Sequence, residues 1–368
     1  MPPSKPIFDV PPGAAAKVSI IDSTLRLSNL AVDYLMGPPL DGFDVMHALP
    51  TWSFLVESPA GRKVLFDLGV PRDMDKVYTP AILKDIERYG WDVSVDKDVA
   101  EILGENGIHP RDVSSVIWSH FHFDHIGDIS KFPSTTELVV GPGFKQKFSR
   151  AYPTDPESVL RESYWENRTL REISYDDESD PLASKIGAFR AYDFFGDGSF
   201  YLLDTPGHAV GHVAGLARTT TGKGRDDRDT FIFMGGDLCH HGGEMRPTAH
   251  DPIPDDVRFP LPDALRARFS VCPGGAEFGK LNTERGRRED EPFFETQLAA
   301  DLGQALDTIE KTQTADVQEN IFFIFAHDTS IGGVVSLFPE PANEWRAKGW
   351  REEVHWGFLK DLCPGLVR

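Results

Sequence analysis

Basic residues are in short supply. The 368-residue chain carries 38 Lys and Arg against 58 Asp and Glu, a formal net charge of −20. Phosphate backbones are gripped by dense Lys/Arg surfaces, so nucleic acid is excluded as a partner. The anionic face of a membrane is disfavoured on the same ground. Cysteine is scarce as well. Cys239, Cys272 and Cys363 are odd in number and widely spaced, which offers no disulfide framework and favours a reducing compartment. The N-terminal stretch MPPSKPIFDVPPGAAAKV has no long apolar run, so neither a signal peptide nor a spanning helix is expected there and the cytoplasm is the default location. Histidine is rare too, with twelve residues, and its distribution is therefore informative.

What is present suits a folded enzyme-sized chain. Hydrophobic residues make up 40%, enough for a sizeable core. Residues 1–20 are expected as an extended arm rich in Pro, Gly and Ala. Residues 21–368 are expected as one domain with an insertion at about 240–312. Thr51–Ser58 and Lys63–Asp67, joined by Pro59-Ala60-Gly61, predict a β-hairpin. Apolar spacing predicts helices over Pro80–Tyr89 and Val99–Asn106. Further strands are predicted at Val116–Trp118, Glu137–Val140, Phe200–Asp204, Val213–Arg218 and Thr230–Met234. Thr221–Asp229 is predicted as a charged turn, and Asn320–Ala326 as a strand too apolar to be solvated on either face. The insertion should end in a helical stretch over Glu291–Thr312. Strands in two groups with helices between them suggest an α+β fold of sheets covered by helices.

Ser119–Asp128 reads S-H-F-H-F-D-H-I-G-D and places His120, His122, Asp124 and His125 just after a buried strand. Side chains alternate on an extended backbone, so His120 and His122 point to one side. The turn that follows swings Asp124 and His125 to a neighbouring point. Imidazole and carboxylate are ligands for Zn²⁺ and similar cations. Three later segments each end an apolar strand in a ligand-type residue: D-T-P-G-H at His208, F-I-F-M-G-G-D at Asp237, and I-F-F-I-F-A-H-D at His327. A histidine-rich surface turn would have no such partners.

This ordered set resembles the metallo-β-lactamase superfamily, from about Ala48 to His327, and its αββα sandwich is the fold the resemblance implies. Carried over position by position, His120, His122 and His208 would bind one metal. Asp124, His125 and His327 would bind a second, and Asp237 would bridge the two. Asp67, in F-D-L-G, would orient a ligand histidine through its other ring nitrogen, whereas the simpler reading is a strand-end cap. His212 reads as a packing residue beside the site, and Cys239 as a buried neighbour. The closest branch is that of the N-acyl homoserine lactonases, which share H-x-H-x-D-H-x-G-D and the terminal His327-Asp328. G-D-L-C-H-H, at Gly236–His241, is similar to a group of fungal lactonase-like proteins, some of which open γ-lactam rings of benzoxazolinones.

The implied function is a dimetal hydrolase opening a small lactone or γ-lactam by attack of a metal-bridging hydroxide on the carbonyl. The cofactor is two divalent metal ions, Zn²⁺ first, with Mn²⁺ and Fe²⁺ accepted by the same donors. A thioesterase of the glyoxalase II or acyl-carrier type is the alternative, and a non-catalytic metal-binding protein a more distant one. The bacterial lactonases place a Tyr three residues after the bridging Asp; His240 stands there, followed by His241. Either is a candidate to donate a hydrogen bond or proton during catalysis, alongside Asp124. Phe121, Phe123 and the Phe-rich insertion (Phe259, Phe269, Phe278, Phe293, Phe294) point to an apolar pocket for a neutral small molecule with an aromatic or acyl group. The insertion is expected to form part of its wall.

Overall fold

The computed structural model describes residues 6–177, 179–222, 228–257 and 274–366. Two six-stranded sheets face each other. The first takes β1 (Lys17–Asp22), β2 (Trp52–Glu57), β3 (Lys63–Phe66), β4 (Val113–Ile117), β5 (Glu137–Val140) and β6 (Leu170–Glu172), hydrogen-bonded in that order. The second takes β7 (Ala183–Ile186), β8 (Phe189–Asp193), β9 (Phe200–Asp204), β10 (Val213–Thr220), β11 (Thr230–Met234) and β12 (Ile321–Ile324), again in order. The predicted hairpin is the antiparallel β2–β3 pair. β3 to β6 then run parallel. The second sheet is antiparallel until β11 and β12, which pair parallel across the insertion.

Alternation along the strands makes the layers. In β2, Trp52, Phe54 and Val56 enter the core between the sheets, where they meet Phe200, Leu202 and Ile232. Leu55 faces the other way, with Val116 and Leu138, into a core closed by Ile82 of α1 (Pro80–Tyr89) and Val99 and Leu103 of α2 (Val99–Glu105). β12 divides likewise: Phe322 and Ile324 point between the sheets. Ile321 and Phe323 point outward with Ile309 and Ala315 of the helix that precedes the strand. Both faces of the strand are buried, as its composition predicts. The result is a helix–sheet–sheet–helix sandwich, the αββα arrangement.

The helix ends have local causes. α1 starts at Thr79, whose hydroxyl caps Ile82 N, with Pro80 at the first position, and stops at Gly90 with φ +67°. α2 starts at Asp98 in a capping box with Glu101. α3 spans Gly275–Glu284. The predicted stretch Glu291–Thr312 is shorter at its start: α4 runs Leu302–Asp316, because the Asp301 carboxylate caps Gln304 N and fixes the first turn there. Residues 17–20, which composition assigned to the arm, belong to β1, since Val18 and Ile20 alternate into the inter-sheet core. Phe259, Phe269, Cys272 and positions 223–227 of the predicted charged turn lie outside the described residues. No helix among the described residues is long and apolar enough to cross a membrane.

Candidate metal centre

The seven proposed ligand side chains come together at one edge of the sandwich, each just past the C-terminal end of a strand. His120, His122, Asp124 and His125 follow β4, His208 follows β9, Asp237 follows β11 and His327 follows β12. Glycine permits the close approach. A Cβ on Gly236, at φ +55°, would lie 2.9 Å from His212 Nε2 and 3.0 Å from Ser119 Cβ. That vacancy lets Asp237 N donate to His212 Nε2 at 3.1 Å. His212 Nδ1 in turn meets Thr205 O at 2.9 Å, so His212 holds the backbone at Asp237 and does not face the centre as a ligand.

Two sets of four ligand atoms result, each within 4.8 Å: His120, His122, His208 and Asp237; and Asp124, His125, Asp237 and His327. Asp237 is common to both. In the first set, His208 Nε2 lies 3.2 Å from His120 Nε2 and 3.0 Å from His122 Nδ1. In the second, His125 Nε2 is 3.1 Å from Asp237 Oδ1, and His327 Nε2 is 3.2 Å from Asp237 Oδ2 and 3.4 Å from Asp124 Oδ2. Donors around a tetrahedral Zn²⁺, bonded at about 2.0–2.1 Å, sit roughly 3.3 Å from one another.

The outward nitrogens are already occupied, which sets the tautomers. His208 Nδ1 donates to Leu298 O at 3.0 Å, His327 Nδ1 to Pro50 O at 2.7 Å, and His125 Nδ1 to Asp67 Oδ2 at 2.8 Å. With the proton outside, each Nε2 presents a lone pair inward. Several lone pairs converging on one point repel unless a cation sits among them. Asp237 Oδ1 and His125 Nε2 are buried and make no hydrogen bond. These orphaned atoms fit a pair of bound cations.

The electrostatics divide the two sets. Burial holds His120 and His208 well below the usual imidazole range and His122 down at about 4, so these rings are neutral donors. Burial opposes charge on His327, but Asp237 and Asp124 outweigh it and raise that ring to about 8. Burial also works against Asp237, yet His125 and His327 hold its carboxyl well below the usual range. Burial pushes the Cys239 thiol well up, which leaves it no nucleophile.

Asp67 lies under the centre. It adopts φ +62°, a left-handed conformation rare outside glycine. Its carboxylate accepts from Ser119 N and Ser119 Oγ at 2.7 Å each, besides His125. It orients a ligand candidate and is more than a strand-end cap.

His240 and His241 separate. His240 lines the chamber above the ligand sets. Its Nε2 lies 3.6 Å from Asp237 Oδ2, its ring stacks on His327 at 6.1 Å and 12°, and neither ring nitrogen has a hydrogen bond. His241 turns away. Its Nδ1 accepts from Gly243 N at 3.0 Å and its Nε2 meets Asp361 Oδ2 at 3.3 Å, so both nitrogens serve the turn before the next short helix. Of the two candidates, only His240 faces the ligand sets. The buried Glu244 carboxylate pins both residues by accepting from their backbone N–H groups.

The chamber has a volume of about 280 Å³. Its wall differs from expectation. Phe278, Phe293 and Phe294 of the insertion are core residues, and among the described residues the insertion contributes His240 and Leu298 to the lining. The wall comes instead from the segment before the histidine motif: Leu27, Leu30, Tyr34, Leu35, Tyr89 and Trp91, with Phe121 and Phe123 from the motif itself. Tyr89 stacks on Trp91 at 4.9 Å and 15°, and Trp91 on Phe123 at 5.7 Å and 16°. Tyr34 stands across them, 5.6 Å from Trp91 at 71°. Phe121 and Phe123 are where the sequence places them, and the rest of this wall was missed, although α1 carried a signal: Ile82, Asp85, Ile86 and Tyr89 share one helical face.

Comparison with known proteins places the chain. A family model described as the metallo-beta-lactamase superfamily matches residues 47–220. Gamma-lactamase FDB1 of Fusarium pseudograminearum is 40% identical, over 94% of this chain and 82% of that protein. Metallo-hydrolase mfmC of Annulohypoxylon moriforme is 39% identical, over 99% of this chain and 92% of that one. Among solved structures, a quorum-quenching N-acyl homoserine lactone hydrolase superposes with a TM-score of 0.53 at 17% identity, covering 89% of this chain and 98% of that one. At that identity the likeness is one of fold.

Proposed function

The chain belongs to the metallo-β-lactamase superfamily, and from that membership together with the site we propose a dimetal hydrolase that opens a small cyclic ester or amide, a lactone or a γ-lactam of the benzoxazolinone kind. The observation that carries this reading is one carboxylate, Asp237, common to two four-membered ligand sets at the floor of an apolar chamber. The 40% identity to a protein named as a γ-lactamase supports the choice of ring.

In this reading His120, His122 and His208 hold one cation, Asp124, His125 and His327 the other, and Asp237 both. When bound, such a pair would make water a nucleophile near neutral pH and would stabilise negative charge on the carbonyl oxygen. The aromatic wall takes the flat part of the substrate and excludes water from the reacting end. His240, its ring parallel to that of His327 and its nitrogens without a hydrogen bond, donates one to the carbonyl oxygen or the leaving group. Zn²⁺ is the metal we favour, with Mn²⁺ and Fe²⁺ compatible with the same donors. The substrate is a neutral small molecule, and the proposed location is the cytoplasm.

The test is metal analysis of the purified protein beside a panel of 2-benzoxazolinone, a homoserine lactone, a penicillin and an acyl thioester. We expect two metals per chain and turnover of the fused γ-lactam or the lactone. Two bound metals with no cyclic ester or amide opened would overturn the reading. His240→Phe should lower kcat and keep both metals; unchanged kcat would remove His240 from the reaction.

A further inference from the structure

The inward face of α1 carries one charge that the ligand sets do not use. Ile82, Asp85, Ile86 and Tyr89 line the chamber at the i, i+3, i+4, i+7 spacing of a single helical face. Apolar or aromatic side chains fill the other three positions. Asp124 and Asp237, the other carboxylates of the chamber, belong to the ligand sets. Among the described residues Asp85 makes no hydrogen bond and no ion pair. Its basic neighbour Arg88 lies over the Tyr89 ring at 5.4 Å instead. The Asp85 carboxylate is thus an acceptor facing the chamber with no donor from the chain, and a leucine would complete the stripe. Such a group is retained where a ligand supplies the missing donor, as in apolar pockets oriented by a few polar groups.

We propose that Asp85 is the specificity-determining residue of the chamber, its carboxylate accepting a hydrogen bond from a hydroxyl or amino group carried on the aromatic ring of the substrate. The inference rests on the reading of the chamber as a lactone or lactam site. A carbonyl turned toward Asp237 has no proton to give, and a lactam N–H sits beside that carbonyl at the reacting end, so a donor that reaches Asp85 from the far part of the substrate belongs to the ring. The ring packs against the aromatic stack of Tyr89, Trp91 and Phe123 that walls the chamber. The volume of about 280 Å³ is at the small end for ligand pockets and suits a fused bicycle with a short substituent rather than a long acyl chain.

The probe is a pair of unreactive bicycles, 4- and 5-indanol against their methyl ethers, which keep the ring and lose the donor. Binding to the metal-loaded protein is read by calorimetry. The wild type should prefer at least one indanol over its ether by about tenfold, the size of a hydrogen bond to a charged acceptor. Asp85→Leu, which extends the apolar face of α1 and so keeps the fold, should erase that preference by weakening the indanol alone. Asp85→Asn, with an acceptor oxygen but no charge, should fall between. No preference in the wild type, or the same preference in Asp85→Leu, overturns the proposal. Turnover of 2-benzoxazolinone by the same preparations separates it from the reaction assignment. A surviving indanol preference without turnover rejects the lactam reading and keeps Asp85, and turnover without preference does the reverse.

Discussion

Asp251, Asp316 and His355 bring ligand-type atoms within 4.8 Å of one another, as do the two sets around Asp237. What fills the middle differs. Arg246 donates to both oxygens of Asp316 at 2.6 Å each and to His355 O at 2.6 Å, while His355 Nε2 meets Asp251 Oδ2 at 2.6 Å. The cluster is closed by a cation of the chain itself. Burial alone would raise the Asp316 carboxyl, yet the Arg246 guanidinium holds it at about 2. Around Asp237 no described Lys or Arg enters, and Asp237 Oδ1 and His125 Nε2, 3.1 Å apart, make no hydrogen bond. A histidine–carboxylate cluster therefore reads as a metal centre when the chain withholds its own cation from it.

Three substitutions break or sharpen that contrast. Arg246→Met should have the largest effect, about 3–5 kcal/mol of stability in denaturant unfolding, because it strands a buried carboxylate. Metal content should not change, and a loss of metal would mean that the two clusters are one system. The wild-type pair also has a pH signature. The folded carboxyl titrates at about 2 against 3.8 ordinarily, so its contribution is whole above about pH 4 and is lost as pH falls toward 2. The variant should lack that acid step. Asp237→Ala should cost activity by more than about 100-fold, above the range for residues that only support a ligand, with metal content reduced. Full metal content in Asp237→Ala would refute its shared role. Asp67→Asn should be mildest. Asn tolerates the left-handed backbone, so the loss is confined to the carboxylate that orients His125, and metal affinity should fall about 10–100-fold by chelator competition. An unchanged affinity would reduce Asp67 to a strand-end cap.

The ligand set was legible because its members sit at strand ends, where a run such as Phe231–Met234 stops abruptly at glycines and an aspartate. Local pattern and site coincide there. The chamber wall was not legible, because Leu27, Tyr34 and Trp91 are residue types that any core would take, and only tertiary packing sets them over the histidines. The insertion misled for the same reason in reverse. Its phenylalanines look like pocket, yet Phe278, Phe293 and Phe294 are sealed in the layer outside the first sheet. His240 and His241 are adjacent and alike in sequence, and only the capping turn at Gly243, which claims His241, distinguishes them.

The strand order has a consequence for assembly. Each sheet is laid down in the order of the chain, with its longest excursions from β3 to β4 and from β11 to β12. Most pairings are thus near neighbours in sequence, the kind that closes quickly during folding. The centre is the opposite. His120, His122, Asp124 and His125 come from the first sheet and His208, Asp237 and His327 from the second, so neither half holds a complete set. Cations bound there would act as rivets between two separately built halves, and their binding energy would count toward holding those halves together.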